Sequence, residues 1–470
     1  MTIKHGQTLA SLFLALCLLG SGCGREGGAA PDAQTAQEAD QTVNTADNTQ
    51  TNESENESEG EENMENLETA PDLDSMTTLE RAAYLEGELW GAYSLAQRED
   101  EARLAEDKAK AIEYGGVTMK YGMKIVGDPD ANGLYPLYIA LHGGGQSDTP
   151  DINDDQWRQM QYYYSRWLKC GVYVAVRGVR DTWDTHFNPE SYPLYDRLIE
   201  YMILTQNVNP NRVYLEGFSA GGDGVYAVSP RMADRFAAVN MSSGHPNGIS
   251  LLNLYNLPIQ LQAGEFDSAY DRNKVTAEYG LYLDALREDE PEGYEHRTLI
   301  HFNAGHNYDD YSPMPLPTIE DYAAWYRDGT RTKFIRIDSF PPDYMSAFTR
   351  EPLPKKVVWE LAVRAERRQT DSFYYLRADE SASGVLRVTN RSDNTFVIDA
   401  GAFGGDFEIL LNEDMVDFEK PVRFVIGEKS ACFGVVPDLG VLKQTTAERG
   451  DPNYQFEAAI RYSEIAAFAN

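Results

Sequence analysis

Cysteine is scarce in this sequence, with four residues among 470. Cys17 lies in an N-terminal apolar run and Cys23 closes it, so only Cys170 and Cys432 remain for the rest of the chain. This number excludes a framework of several disulfides, although it leaves a single bridge open. We expect Cys170 and Cys432 to be free thiols, buried like small apolar side chains.

Positive charge is also scarce. The chain has 41 Lys and Arg residues against 75 Asp and Glu residues, and its formal net charge is −34. Because phosphate backbones repel a polyanion, nucleic acid is excluded as a partner. The sequence also lacks the H-E-x-x-H and paired C-x-x-C spacings of metal sites and the G-x-x-x-x-G-K-S/T loop that holds nucleotide phosphates. We therefore predict neither a metal nor a cofactor.

Long apolar runs are absent except at the N-terminus. There, Leu9–Leu19 is too short to span a bilayer, which takes about 20 residues, and it fits the apolar core of a signal peptide. The following Gly-Ser-Gly-Cys23 resembles a bacterial lipobox, except that Gly20 stands where leucine is usual. The resemblance implies that residues 1–23 are a lipoprotein signal peptide and that Cys23 is lipidated. The protein would then be exported and anchored to a membrane, on the periplasmic or cell-surface side. The alternative is an ordinary secretory signal cut near Cys23.

The stretch after Cys23 has the composition of a disordered chain. Residues 24–75 contain no aromatic residue, and Arg25 is their only basic one. Such a segment cannot bury enough apolar surface to offset the entropy lost on ordering. We therefore predict a disordered acidic tether.

Helical spacing of apolar residues marks the start of the folded part. The residues that recur at this spacing are Leu79, Ala82, Leu85, Leu89 and Tyr93. They predict an amphipathic helix, and a second, highly charged helix is expected over about residues 99–113. We predict an N-terminal helical segment over residues 76–113.

Strands and helices then alternate over residues 114–345. An edge strand is expected at Val117–Val126. Buried strands are expected at residues 135–141, 171–176, 212–215, 237–241, 258–262 and 298–302. This alternation predicts an α/β fold with a mostly parallel sheet and helices on both faces. Over residues 355–470 strand-like pieces follow one another without helices, which predicts a smaller β-rich domain. A sandwich is one architecture that this pattern allows.

The strongest chemical signal is Gly217-Phe-Ser219-Ala-Gly221, between a predicted strand and a predicted helix. This is the context of a nucleophile elbow, a sharp turn that lifts a serine hydroxyl above the sheet edge. Ser219 is thus a candidate nucleophile. A glycine-rich turn without catalytic function is the competing interpretation of this motif alone.

Upstream, His142-Gly143-Gly144-Gly145 follows a strand. Glycines let the backbone approach a substrate carbonyl, so Gly143 and Gly144 are candidate oxyanion-hole residues together with the amide of Ala220. The ring of His142 is expected to hold this loop, and its contact with substrate is left open.

Downstream, a carboxylate and a histidine follow two later strands. Asp267 is the preferred acid, with Glu265 and Asp271 as alternatives, and His306 is the preferred base by its order and position. Asp267 would orient the imidazole, and His306 would deprotonate the Ser219 hydroxyl.

These motifs resemble the polyhydroxybutyrate-depolymerase and feruloyl-esterase branch of the α/β-hydrolases. The matching pieces are His142–Gly145, Gly217–Gly221, Gly264-x-x-Asp267 and Gly305-His306. The resemblance covers residues 116–310, which is under half of the chain. It implies an α/β-hydrolase fold and a serine esterase that cleaves an acylated polysaccharide, feruloyl-type or polyester substrate through an acyl-enzyme.

Two loops after predicted strands supply further candidates for substrate contact, although ordinary loop packing explains them equally well. Trp183 and His186 lie in one loop and His245 in the other. A serine peptidase of the prolyl-oligopeptidase type and a non-catalytic surface-binding lipoprotein are the alternative functions.

Overall fold

The fold is described from a computed structural model covering residues 78–145, 150–301, 304–307, 332–335, 342–361 and 371–469. The predicted signal peptide over 1–23, its lipidation site Cys23 and the predicted tether over 24–75 lie outside the described residues.

Two helices open the described chain, α1 (Thr78–Glu99) and α2 (Glu101–Ala109). The Asp100 side chain caps α2 by accepting the Arg103 N–H at 2.9 Å. The helix predicted to reach about residue 113 ends at Ala109, and the chain forms β1 (Ala111–Tyr114) instead. Gly115 and Gly116 both have positive φ and allow a two-residue hairpin turn to β2 (Val117–Val126). The edge position expected for β2 is therefore taken by β1.

The remaining strands of this sheet are β3 (Tyr135–Leu141), β4 (Gly171–Val176), β5 (Val208–Phe218), β6 (Ala238–Ser242), β7 (Ile259–Gly264), β8 (His296–His301) and β9 (Thr332–Ile335). Among the described residues their order is β1-β2-β4-β3-β5-β6-β7-β8-β9. β1 and β2 pair antiparallel, as do β2 and β4, whereas every later pair is parallel. The helices between the strands are α3 (Pro150–Tyr163), α4 (Ser191–Thr205), α5 (Ala220–Val228) and α6 (Arg272–Asp289), and the short α7 (Pro342–Met345) follows β9. This mixed sheet confirms the predicted α/β-hydrolase fold.

The central strands are buried on both faces because helices cover the sheet on both sides. Along β3, Leu137 and Ile139 pack into one hydrophobic cluster, whereas Tyr138 and Ala140 pack into another. This alternation follows from the two-residue repeat of a strand. The carboxyl ends of the parallel strands meet at one edge of the sheet, where ligands bind in such folds.

The described residues of the β-rich C-terminal part form two further sheets. Five strands form one of them: β10 (Lys356–Leu361), β13 (Ser383–Asn390), β14 (Thr395–Gly404), β16 (Val422–Ile426) and β17 (Lys429–Phe433). Four form the other: β11 (Ser372–Phe373), β12 (Leu376–Ala378), β15 (Phe407–Leu411) and β18 (Ala458–Arg461). Trp359 of β10 and Phe373 of β11 stack with ring centroids 5.5 Å apart. Two helices that the strand pattern did not predict, α8 (Leu439–Arg449) and α9 (Tyr462–Phe468), complete this part.

Buried ion pairs connect the C-terminal part to the hydrolase domain. Arg449 of α8 pairs with Asp234, and both side chains are almost fully buried. Asp451 is completely buried and pairs with Arg235 of the hydrolase domain at 3.4 Å and with Arg350, just before the C-terminal part, at 2.8 Å. Because a buried charge that loses its partner is costly, these pairs tie the two parts together.

The two cysteines of the described chain are free, but they differ in exposure. Cys170 is half-buried and Cys432 is exposed. The expectation of two buried thiols is therefore wrong. Cys170 is only half-buried, and the alternation of β17 buries Ala431 and turns its neighbour Cys432 outward.

The described residues contain neither a candidate membrane-spanning helix nor a candidate metal-ligand cluster. No helix there has both the length and the apolar character needed to cross a membrane. No group of three or more His, Cys, Asp or Glu side chains there could hold a metal ion.

Candidate active site

Ser219 occupies the sharp turn between β5 and α5. Its backbone has φ 58° and ψ −120°, a strained conformation of the kind that functional sites retain. Its N–H donates to the Ser242 carbonyl at 2.9 Å, and its carbonyl accepts the Asp223 N–H at 3.0 Å. The turn is therefore fastened on one side to β6 and on the other to its own helix.

The two glycines of the turn are required by close backbone approach. A Cβ atom on Gly217 would overlap the carbonyl oxygen of Gly221, and one on Gly221 would overlap the carbonyl oxygen of Leu141. The motif thus reflects a steric need at both positions.

Three side chains that are far apart in sequence meet at the carboxyl edge of the sheet. His306 Nε2 lies 3.0 Å from Ser219 Oγ, and His306 Nδ1 lies 2.9 Å from Asp267 Oδ2. These are the distances at which an imidazole accepts a proton from a hydroxyl while a carboxylate holds its other nitrogen. The structure therefore brings together the serine, acid and histidine selected from the sequence.

Of the three carboxylates that the sequence left open, Asp267 is the one hydrogen-bonded to His306. Its side chain is 1% exposed. Asp271 lies on the surface, where it pairs with Lys274 at 2.9 Å. Glu265 is half-buried, and its backbone carbonyl accepts from Asn273.

The loop after β3 approaches Ser219 from the other side. A Cβ atom on Gly143 would lie 3.3 Å from Ser219 Cβ, so this backbone runs directly beside Ser219. The Gly145 N–H donates to Asn153 Oδ1 at 2.7 Å and is thereby occupied. Ala220 is the first residue of α5, and the first N–H groups of a helix have no acceptor within it. The amides of Gly143, Gly144 and Ala220 therefore stay the predicted oxyanion-hole donors beside Ser219.

His142 and His186 are fully buried beneath this loop. The Gly178 N–H donates to His142 Nε2 at 3.0 Å, which leaves His142 Nδ1 to donate to the Gly143 carbonyl at 2.5 Å. His186 Nε2 donates to the His142 carbonyl at 2.8 Å. Burial lowers the pKa of His142 to about 4 and holds the pKa of His186 well below its usual value. Both rings are buried and hold the loop in place. Their placement therefore argues against the prediction that either ring contacts substrate.

Trp183 and His245 differ from this buried pair. Trp183 is 61% exposed. Its backbone lies close to the loop after β3, since its carbonyl oxygen would be 3.4 Å from a Cβ atom added to Gly145. His245 is half-buried, and its N–H donates to Asp223 Oδ1 at 2.7 Å. Both therefore stay candidates for substrate contact.

Asn153, which no sequence motif marks, holds the loop after β3. Its amide oxygen accepts the Gly145 N–H, its amide nitrogen donates to Asp181 at 2.8 Å, and its side chain is fully buried. It lies in the first turn of α3 among acidic residues, where a polar residue is ordinary, so no sequence signal marked it.

Comparison with known proteins gives partial likenesses. No family model matches the chain. A protein described as probable feruloyl esterase C from Aspergillus niger is 28% identical over 125 residues, which are 27% of this chain and 46% of that relative. The chain thus spans about half the length of the curated relatives it matches.

Similar solved structures include Est1E from Butyrivibrio proteoclasticus, with 13% identity and a TM-score of 0.28 over 42% of this chain and 90% of that one. They also include LpqC, a poly(3-hydroxybutyrate) depolymerase from Bordetella parapertussis, with 16% identity and a TM-score of 0.29 over 40% of this chain and 78% of that one. In each comparison the likeness covers less than half of the present chain.

Proposed function

We propose that this protein is a serine hydrolase that cleaves carboxylic esters through an acyl-enzyme. The observation that carries the proposal is the continuous chain of contacts from Asp267 through His306 to Ser219. The likeness to a probable feruloyl esterase supports the ester as the bond cleaved.

In acylation, His306 Nε2 takes the proton of Ser219 Oγ while that oxygen attacks the ester carbonyl carbon. The carbonyl oxygen becomes an oxyanion, which accepts from the Ala220 amide and from an amide of Gly143 or Gly144. Each such donor contributes about 3–4 kcal/mol to the transition state. His306 then protonates the departing alkoxide, and the acyl group remains on Ser219.

In deacylation, His306 removes a proton from water, which attacks the acyl carbonyl. The second tetrahedral intermediate uses the same amides, and its collapse returns the proton to Ser219 and releases the acid. Asp267 keeps the imidazole in one tautomer and stabilises the imidazolium in both steps.

The substrate is an acylated polysaccharide, a feruloyl-type ester or a polyester, and Trp183 and His245 contact it. Trp183 offers an exposed ring beside the oxyanion loop, on which a flat acyl or sugar group can stack. The choice among the three classes rests on activity measurements.

Labelling with a fluorophosphonate probe tests the nucleophile. Wild type should label and Ser219→Ala should not. If neither labels, the non-catalytic binding lipoprotein is the better description. A panel of aryl esters and peptide anilides then separates esterase from peptidase, and faster cleavage of the anilides would favour a serine peptidase.

We also propose that the protein is exported and anchored to the membrane through a lipid on Cys23. The short apolar run and the lipobox-like sequence at residues 19–23 support this proposal. A clickable fatty acid fed to the producing bacterium should label wild type and leave Cys23→Ala unlabelled. Equal labelling of both would contradict the anchor.

A further inference from the structure

His306 lies in the described stretch 304–307, which has no regular secondary structure, and hydrogen bonds from neighbouring loops hold its backbone. The Ala304 carbonyl accepts the Phe266 N–H at 2.9 Å. The carbonyl of His306 itself accepts from Ser243 Oγ at 3.1 Å. This second bond acts on the residue whose ring must reach the Ser219 hydroxyl.

Ser243 directly follows β6 and is fully buried. Its N–H donates to the Gln262 carbonyl at 2.8 Å, which anchors it to β7. The preceding residue, Ser242, accepts the N–H of Ser219 at 2.9 Å. Two consecutive residues at the end of β6 therefore contact the backbones of the nucleophile and of the base, and they couple the two positions.

The backbone conformation of Ser243 is strained, so a serine at this position has an energetic cost. Its φ is 51°, in the left-handed region where a Cβ crowds the neighbouring carbonyl. Glycine would adopt the same φ without that crowding. What serine adds over glycine at this position is the hydroxyl that donates to His306.

We propose that Ser243 is a positioning residue whose hydroxyl sets the distance between the His306 imidazole and the Ser219 hydroxyl. This inference rests on the proposed function, because it concerns proton transfer in that reaction. The Ser243 hydroxyl donates to the His306 carbonyl, and we give it no role in holding substrate. Its loss should therefore slow the chemical step more than it weakens substrate binding.

Two substitutions separate the effect of losing the Ser243 hydroxyl from the effect of relieving the backbone strain. Ser243→Ala and Ser243→Gly both delete the hydroxyl, but only the glycine variant relieves the backbone. We expect kcat for p-nitrophenyl acetate and the rate of fluorophosphonate labelling to fall about 10-fold in both, with KM within about twofold of wild type. Ser243→Gly should be at least as stable as Ser243→Ala.

Ser229→Ala is the matched control. Ser229 is also fully buried, and its hydroxyl donates to the Val225 carbonyl at 2.5 Å, at the far end of α5. Its substitution should change neither kcat nor the labelling rate.

The outcomes separate this inference from the proposed function. If wild type labels and both Ser243 variants label at the wild-type rate, the positioning role is wrong and the proposed function stands. If the activity losses instead parallel the losses in Tm, so that Ser243→Gly is active and Ser243→Ala is impaired, Ser243 has only a structural role. That result would overturn the proposal. If wild type itself does not label, both fail.

Discussion

Asp267 accepts a hydrogen bond from His306, with Oδ2 and Nδ1 2.9 Å apart. The carboxylate is almost fully buried, whereas the imidazole is 35% exposed. A buried carboxylate is screened little by solvent, so it can hold one imidazole tautomer and stabilise the charge that forms during proton transfer.

Replacing the acid should therefore act through the histidine. We expect Asp267→Asn to lower kcat by about 10³–10⁴-fold, because the amide favours the wrong tautomer of His306. Asp271→Asn is the control, since that carboxylate is on the surface and pairs with Lys274. Turnover of a p-nitrophenyl ester measures both. An Asp271→Asn loss as large as that of Asp267→Asn would contradict the assignment.

The loop after β3 should tolerate no side chain at Gly144. Gly144 has φ 102°, and a Cβ there would lie 2.5 Å from Asn153 Oδ1. Because Asn153 holds the Gly145 amide, Gly144→Ala should displace the loop and lower turnover at least 10²-fold, the scale of losing an oxyanion donor.

Gly248→Ala separates this collision from backbone strain. Gly248 also has positive φ, 75°, but a Cβ added there would meet no atom within 4 Å among the described residues. That variant should lose some stability and keep its turnover. Equal activity losses in Gly144→Ala and Gly248→Ala would show that strain alone is responsible.

Stability should fall as pH rises, because two carboxyl groups meet between α1 and the C-terminal part. Burial, and to a lesser degree the neighbouring carboxylates, raise the pKa of Glu457 to about 9 and that of Glu86 to about 7. With both groups ionised, the buried carboxylate oxygens of Glu457 have no well-aligned hydrogen-bond donor among the described residues. A protonated Glu457 can instead donate to Glu86.

The folded state thus binds protons that the unfolded state releases near pH 4.5. The stability they contribute is fully present below about pH 4.5 and is lost progressively as pH rises through 7 to 9. Urea midpoints measured from pH 5 to 9 should decline, and Glu457→Gln should flatten the decline. Hydrogen exchange should show the loss of protection in the first half of α1, which contains Glu86. The end of α1 is held separately, because Arg98 donates to the Leu204 carbonyl at 2.7 Å. An equal slope in Glu457→Gln would contradict this origin.

The buried ion pair between the two parts of the chain should be costly to break. Arg449→Met leaves Asp234 buried without that partner, and we expect a loss of about 3–5 kcal/mol in the free energy of unfolding. Arg461→Met removes cationic contacts from a half-exposed side chain and should cost about 1 kcal/mol or less. Urea unfolding measures both, and similar losses would argue against burial as the cause.

Much of the fold follows from the sequence because its signals are local. The runs at Tyr135–Leu141 and Gly171–Val176 are continuous apolar stretches, and the structure has β3 and β4 at the same residues. The end of α2 was misplaced because Gly115 and Gly116 favour a hairpin, and this preference outweighed the helical character of a charged segment. The sequence pattern does not predict α8 and α9 because both lie among strands, and α9 has only seven residues.

The sequence by itself determined which residue types stand at the strand ends: a serine between glycines, a glycine-rich loop, acids after one strand and a histidine after the next. It could not choose among Glu265, Asp267 and Asp271, because neighbouring residues on one loop differ in direction, which only packing decides. Tertiary structure also buried His142 and His186 and brought the Ser243 hydroxyl to His306. These relationships join residues from different strands, and they exist only once the sheet has set the register between those strands.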